Sequence, residues 1–388
     1  MTAAHSTDDT ARATGHGGPN AVTRDGSAGP RPGEDAVVGQ AGGRRRKGGR
    51  GGGGKGERSM VPPAEFTSYY GRPIVKASPW ERDIPAYLFM GGVAAGSSLL
   101  AAGADLTDRP ALRRTGRMGS IVGLTLSMVA LVHDLGRPER FHHMLRVAKP
   151  TSPMSVGTWI LTAYGPFAGL AAVAEGRELL PAGLREGLVG RLLGRSARPA
   201  GIVAALTAPA VASYTAVLLA DTATPTWHAA HRHLPFVFVG SASAASGGLG
   251  MIGAPVGEAG PARRLAVGGA LLELAVGRRM ERAMGITAEP LHTGHAGALM
   301  RASTALTVLG SLGTATVARR SRAAAVVSGA ALMAGSACLR FGVFEAGQAS
   351  ARDPRYTVVP QRERLARGQA ERHAGGGQPA GPPAENPR

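Results

Sequence analysis

Cysteine is almost absent from this chain of 388 residues, which contains only Cys338. Iron-sulphur clusters generally need four protein ligands, most of them cysteines, so this chain alone cannot hold such a cluster. Haem is not expected either. A transmembrane haem needs histidines well inside paired helices, whereas the eight histidines between residues 84 and 347 all fall at the ends of apolar stretches or in loops.

The histidines also lack the partners that a metal site needs. Two local clusters occur, His142 with His143 and His228 with His231 and His233, but no carboxylate or thiolate accompanies them at ligand spacing. Protein zinc sites are built from three or four such side chains at regular spacing. The sequence therefore predicts no metal in this chain.

Acidic residues are few compared with basic ones, 26 against 44, which gives a formal net charge of +18. Much of the surplus lies in tails and loops, including the run RRRKGGRGGGGKG, so nucleic-acid binding is not indicated. Residues 1–59 contain too few apolar side chains to offset chain entropy, and we expect them to be disordered. They do not form a secretory signal, because no apolar core precedes residue 84. Translation from Met60 is an alternative start.

Long apolar stretches are abundant after residue 84, and each has about the length needed to cross a ~30 Å hydrocarbon core. They predict an all-α integral membrane protein with eight transmembrane helices, arranged in two four-helix bundles. Small residues recur in the stretches, as at Gly91, Gly92, Ala95 and Gly96, and allow close helix packing in lipid. The predicted spans are 84–103, 116–132, 156–173, 200–220, 234–254, 265–284, 298–318 and 323–347.

The sixth span is interrupted by charged residues, among them Glu273, and an interfacial amphipathic helix is the alternative for it. Around the membrane domain, 84–347, we predict a docking segment at 60–83 and a polar tail at 348–388. Within the spans, Glu273, Arg340 and Glu345 are expected to form a structural ion pair or a proton path, because membrane charges are costly unless paired. Asp105 is expected to lie in solvent at the end of the first helix.

The loops divide into two kinds, which predicts the orientation. Loops after spans one, three, five and seven carry fourteen arginines, against nine basic residues on the opposite side. Short basic loops favour the cytoplasm, so both termini are expected outside it, in a multi-pass protein of the cell membrane. The fourteen are Arg109, Arg113, Arg114, Arg117, Arg177, Arg185, Arg191, Arg195, Arg198, Arg263, Arg264, Arg319, Arg320 and Arg322.

The opposite side carries the distinctive segments, which are rich in aromatic residues and proline. They include TSYYGRPIVK, HDLGRPERFHHMLRV with TSPMSVGTW, and the terminal FEAGQASARDPRYTVVPQR, together with PAYLFMGGVAAGS and SYTAVLL in the spans. Such segments are typical of a docking surface. Ordinary interfacial loops, with Trp80, Trp159 and Trp227 as membrane-belt residues, are the alternative.

In the order and spacing of these motifs, residues 66–364 resemble the NrfD/polysulphide reductase membrane-subunit family. The resemblance implies an eight-helix subunit that has no haem and exchanges electrons between membrane quinones, of the menaquinone or ubiquinone type, and a ferredoxin-like iron-sulphur subunit. It also implies a molybdopterin catalytic partner, such as a polysulphide reductase or a formate dehydrogenase-like enzyme. The chain would then be a subunit of an oxidoreductase without activity alone.

Quinol oxidation needs proton acceptors near the ring oxygens and an apolar slot for the ring. The candidate proton-exchanging residues are His133, Asp134 and Asp221, and the candidate ring-binding residues are Tyr87 and Tyr214. The assignment of Tyr214 rests on the SYTAVLL match. Structural roles are the alternative, with His133 and Asp134 capping the DLGRP turn and Tyr87 lying in the aromatic belt.

Two other functional classes remain open from the sequence. A secondary transporter commonly shows internal repeats and helices broken at the midplane, and no convincing repeat occurs here. A purely structural anchor would keep the docking surface and lack a quinone site. Identification of co-purifying partners discriminates between these classes.

Overall fold

The computed structural model of the chain describes residues 73–375, which form helices joined by short connections, with no strand in that range. The predicted disordered segment, 1–59, lies outside the described residues, as do 60–72 of the docking segment, with the first six positions of the motif TSYYGRPIVK, and 376–388 of the predicted tail. Nine long helices are described: α1 Asp83–Leu106, α2 Pro110–Asp134, α3 Pro153–Glu175, α4 Leu188–Ala220, α5 Leu234–Gly253, α6 Gly260–Met284, α7 Gly294–Thr316, α8 Arg322–Arg352 and α9 Arg355–Gly375.

Five short helical segments connect the long helices. Three are 3-10 turns, Pro138–Arg146, Gly176–Leu179 and Gly285–Leu291, and two are single α-helical turns, Ala182–Glu186 and Pro225–Ala229. The segment Pro138–Arg146 leads from α2 to α3, and Pro225–Ala229 leads from α4 to α5.

Each predicted span falls on one of the helices α1 to α8. Six of these, α1 to α5 and α8, are long and apolar enough to cross a membrane, which makes the chain a multi-pass membrane protein. The other two are more polar: α6 carries Glu273 in its middle and several arginines near its ends, and α7 carries Arg301 together with many small and hydroxyl residues.

Several arginines that we assigned to loops belong to helices. Arg113, Arg114 and Arg117 lie in α2, which begins at Pro110, and Arg195 and Arg198 lie in α4, which begins at Leu188. Hydropathy marks only the apolar part of a helix, whereas backbone hydrogen bonding continues into the polar turns at its end. The predicted loops are therefore shorter in the structure.

Glycines set the closest helix contacts, as the small residues in the spans predict. Helices α5 and α8 touch at Gly248 and Gly329, where a Cβ atom on Gly248 would lie 2.6 Å from the carbonyl oxygen of Gly329. Helices α5 and α6 approach equally closely, because a Cβ atom on Gly240 would lie 2.7 Å from the backbone nitrogen of Glu273. Without a hydrophobic drive between helices in lipid, such close backbone packing supplies van der Waals contact.

One end of the helix bundle, the arginine face, is formed by the connections after α1, α3, α5 and α7. There Glu175 at the end of α3 contacts Arg117 at 2.8 Å and Arg113 at 3.1 Å, and its side chain is 4% exposed. Asp105 contacts Arg113 at 3.3 Å, and its side chain is only 16% exposed. The expectation that Asp105 lies in solvent is therefore wrong. The charge needs partners because the surrounding helices exclude water from it.

The opposite end, the motif face, is formed by the segment before α1, the connections after α2, α4 and α6, and helix α9 after α8. Its segments contact one another. The side chain of Gln348 donates to the carbonyl oxygens of Ser78 at 3.0 Å and Trp80 at 3.2 Å, and Thr226 donates to Thr287 at 2.8 Å. Part of the predicted polar tail is helical, because α8 continues to Arg352 and α9 follows it.

The three tryptophans have different environments. Trp227 is fully buried, donates its Nε1 hydrogen to the carbonyl oxygen of Val343 at 2.8 Å, and has its ring centroid 6.0 Å from that of Trp80. A membrane-belt role for Trp227 is therefore wrong, because no part of its ring reaches the surface. Trp159 is exposed, as a belt residue would be.

Candidate functional site

A cavity of about 270 Å³ lies between the motif-face ends of α1, α2, α3 and α4. It brings together Tyr87, Asp134 and Tyr214, three of the five predicted site residues, although they are far apart in the sequence. Apolar side chains form most of the remaining wall. The other lining residues are Pro79, Trp80, Ile84, Leu131, Leu135, Met144, Met154, Gly157, Thr158, Leu161 and Leu218.

Two tyrosine hydroxyls form the polar centre of this cavity. Tyr87 on α1 and Tyr214 on α4 are both buried, and their hydroxyl groups are hydrogen-bonded to each other. The pair has two O–H groups, and their mutual bond uses one of them as donor. One O–H therefore remains available to a ligand. Tyr87 is not a belt residue, because it is buried among the helices.

Gly157 on α3 determines where the Tyr214 ring lies. A Cβ atom at this position would be 2.5 Å from Cε2 and 2.7 Å from Cδ2 of Tyr214. Only a residue without a side chain leaves room for the ring between α3 and α4. Ser127 on α2 fixes the other tyrosine by donating to the carbonyl oxygen of Tyr87 at 3.2 Å.

Asp134 and His133, consecutive at the end of α2, point in different directions. Asp134 lines the cavity, and its Oδ1 accepts the backbone N–H of Glu81 at 3.3 Å. The His133 side chain is 78% exposed, lies outside the cavity and contacts Asp83 through Nδ1 at 2.7 Å. Successive residues of an α-helix are turned by about 100°, and here that rotation places the His133 side chain at the exposed surface.

Asp221, the fifth predicted residue, lies at a second cavity. This groove of about 610 Å³ runs between α3 and α4, and Tyr214 lines it too. Asp221 is exposed and follows directly after α4, and His228 and His231 line the groove with it. Tyr214 is thus the residue that the first cavity and the groove share.

The sequence reasoning missed the apolar walls of the cavity. Ile84 stands three residues before Tyr87, Leu161 four after Gly157, and Leu218 four after Tyr214. Residues three or four apart share one face of a helix, so this spacing was a usable signal. Trp80 carried no such signal, because it lies before α1 and is placed there by Gln348 from the other end of the chain.

Of the three charged residues expected to pair, the buried Glu273 and Arg340 interact electrostatically, and Glu345 pairs elsewhere. Glu345 contacts His295 at 2.5 Å, so its expected pairing with Arg340 is wrong. Arg340 is buried, lies 3.6 Å above the Phe238 ring and donates to the Phe238 carbonyl oxygen at 2.8 Å. Glu273 accepts from Thr307 at 3.1 Å, and its other carboxylate oxygen has no hydrogen-bond partner within residues 73–375.

The residues of the first cavity, the ring cavity, suit an aromatic ring that carries oxygen atoms. Its wall is mainly apolar, and a hydroxyl pair and a carboxylate supply polar groups, which is typical of sites for small organic ligands. The volume matches a ring head group and is too small for a long tail as well. Among residues 73–375, no cluster of three or more His, Cys, Asp or Glu side chains is arranged to hold a metal ion.

Residues 75–256 match the family model NrfD, described as "Polysulphide reductase, NrfD". The match extends from the segment before α1 to the connection after α5 and includes all five predicted site residues. It confirms the resemblance that the motifs indicated. No curated protein matches the sequence.

Proposed function

From the NrfD-family match and the cavity between α1 and α4, we propose that this chain is the quinone-interacting membrane anchor of an oxidoreductase complex. It exchanges electrons between the membrane quinone pool and an iron-sulphur subunit, which in turn serves a molybdopterin enzyme of the polysulphide reductase or formate dehydrogenase-like kind. The observation that carries the proposal is the buried Tyr87–Tyr214 hydroxyl pair in an otherwise apolar cavity.

The proposed topology has eight crossings in two four-helix bundles, with both termini outside the cytoplasm. Helix α1 packs on α2 and α4, and α3 packs on α4, which supports the first bundle. Helix α5 packs on α6 and α8, and α7 packs on α8, which supports the second. Helix α6 crosses the membrane in this proposal, because its charged Glu273 is buried among neighbouring helices and does not face lipid.

In the proposed reaction a bound quinol supplies two electrons and two protons. The free O–H of the tyrosine pair donates to one ring oxygen and fixes the orientation of the ring. Asp134, at the edge of the cavity, accepts one proton from the ring oxygen nearest to it. The second proton leaves the ring oxygen at the tyrosine pair toward Asp221, which lines the groove that Tyr214 also lines. His133 lies next to Asp134 in sequence and is exposed beside Asp83, so it is placed to pass protons to solvent on the motif face.

The iron-sulphur subunit would dock on the motif face, because the cavity lies at that end of the helices. Electrons then have a short path from the ring to the partner. The cross-contacts of Gln348 and Trp227 hold the segments of this face together before any partner binds. A preformed surface loses little entropy on docking.

Variants of the hydroxyl pair test the proposal. Tyr214→Phe removes one hydrogen bond to a buried ligand, which costs about 1 to 3 kcal/mol. We expect quinone-linked turnover, normalised to assembled complex, to fall by about tenfold to a hundredfold. Asp134→Asn is expected to slow turnover with assembly preserved, because an amide cannot accept the proton.

Tyr164→Phe is the matched control. Tyr164 is also a buried tyrosine of the first four helices, and its hydroxyl contacts Ser98 at 2.7 Å and the carbonyl oxygen of Ala94 at 2.8 Å, but it does not line the cavity. This variant should keep turnover per assembled complex. Equal losses in Tyr164→Phe and Tyr214→Phe would argue for a structural role of both tyrosines and against a quinone site here.

A further inference from the structure

The groove between α3 and α4 borders the ring cavity at Tyr214. Its walls come from both helices, and Tyr214 belongs to the groove and to the cavity. The middle of the groove is apolar or small, and its end at the motif face carries Asp221, His228 and His231. The middle wall consists of Val156 and Ile160 from α3 and Ala210, Ser213 and Val217 from α4.

The groove is open along its length. Val156 is 37% exposed and Val217 is 44% exposed, although both are apolar and belong to helices long and apolar enough to span a membrane. Leu206, on the same helix as Val217, is 75% exposed. Apolar side chains exposed on membrane-spanning helices face hydrocarbon, and we infer that the groove opens toward the lipid.

The two cavities differ in capacity. The ring cavity holds about 270 Å³, below the range of roughly 300–1,000 Å³ typical of sites that enclose a whole small molecule. The groove has a volume of about 610 Å³, and Tyr214 lines both the groove and the ring cavity. A ligand with a ring head and a long apolar chain needs both volumes.

We propose that the α3–α4 groove admits quinone from the lipid and holds its isoprenoid tail, with Tyr214 at the junction of head and tail. The inference rests on the proposed quinone function. Helix α3 contributes Gly157 to this junction, so the absence of a side chain there lets the Tyr214 ring separate the head group from the tail. The small residues Ala210 and Ser213 keep the groove wide next to Tyr214.

Blocking the groove tests the inference. Val217→Trp fills the groove at an exposed position, where a large apolar side chain is tolerated. Its matched control is Leu206→Trp, which lies eleven residues earlier on the same helix and therefore on the same side, but outside the groove. Both variants are compared in the full complex with a long-tailed quinol and with a tailless analogue.

We expect Val217→Trp to raise the KM for the long-tailed quinol by tenfold or more and to leave the KM for the tailless analogue within about twofold. Leu206→Trp should change neither. The inference would be overturned if Val217→Trp raised the KM equally for both substrates. It would also be overturned if Leu206→Trp raised the KM for the long-tailed quinol as much as Val217→Trp does.

A binding measurement on the purified full chain is independent of turnover. A quinone analogue with a photoreactive group on its tail should label peptides containing 156–160 and 210–217, and one with the group on its ring should label peptides around Tyr87. If the tail analogue labels other peptides while the ring analogue labels those around Tyr87, the inference about the groove is wrong and the proposed quinone site is retained. Absence of labelling by both analogues overturns both proposals. A phospholipid in the groove that quinone does not displace also overturns the inference.

Discussion

Gly157→Ala is a change of one methyl group that should disturb the candidate site severely. The added Cβ atom would lie 2.5 Å from Cε2 of Tyr214, much closer than two carbon atoms can approach. The ring has little freedom to retreat, because Tyr214 is buried and its hydroxyl is bonded to Tyr87. The clash must therefore separate α3 from α4 or break the hydroxyl pair.

Two opposing free energies decide the size of the effect. Replacing glycine by alanine inside a helix favours the folded state by about 1 kcal/mol. Overpacking a buried contact costs about 1 to 3 kcal/mol, and loss of the Tyr87–Tyr214 hydrogen bond adds about 1 kcal/mol. The sum is a net destabilisation of about 1 to 3 kcal/mol, and the displaced Tyr214 hydroxyl should lower quinone-linked turnover by about tenfold or more.

Gly165→Ala on the same helix is the control. There the added Cβ atom would lie 3.6 Å from the nearest atom, Cδ2 of Leu124, which is ordinary van der Waals contact. Only the helix-propensity gain applies, so this variant should be as stable as the natural chain or slightly more stable. Thermal unfolding of both variants in lipid nanodiscs and turnover per assembled complex give the comparison. Equal stability and equal turnover of the two variants would refute the assigned role of Gly157.

Two further predictions concern the membrane domain as a whole. In intact cells, Arg195→Cys should react with a thiol reagent only when the cytoplasmic side is accessible, and Arg232→Cys only from outside; the reverse pattern would invert the proposed orientation. Glu175→Gln should destabilise the chain by about 1 to 3 kcal/mol, because the buried Arg117 loses its closest carboxylate and keeps only that of Asp105, at 3.7 Å. Glu178→Gln is its control, with a side chain 73% exposed, and thermal unfolding of the two variants should differ clearly.

The sequence predicted the helices well because apolar length and small residues are local signals. Each of the eight predicted spans lies on a helix, and the close contacts occur at glycines such as Gly248 and Gly329. Helix ends were less predictable. Helix α4 begins twelve residues before its predicted span, since its first turns carry arginines that hydropathy assigns to a loop.

The candidate site was only partly readable because it combines distant segments. Tyr87, Asp134 and Tyr214 meet at one cavity, as the common end of their helices implies. The separation of His133 from Asp134 depends on helix rotation, which sequence spacing does give. The placement of Trp80 and the contact between Gly157 and Tyr214 depend on tertiary packing, which no local pattern specifies.

The arginines of the arginine face have a structural role in addition to their proposed role in orientation. Arg322 donates to the carbonyl oxygens of Met251 and Ala254 at the end of α5, and Arg109 to those of Gly257 and Glu258. Carbonyl groups at a helix end have no partner within the helix, and a cation satisfies them and the helix dipole together. The Arg109 side chain therefore joins the first half of the chain to the connection after α5, and the Arg322 side chain joins α8 to α5 within the second half. The charge surplus from which orientation was predicted thus also stabilises the contact between the halves, and replacing these arginines changes packing as well as topology.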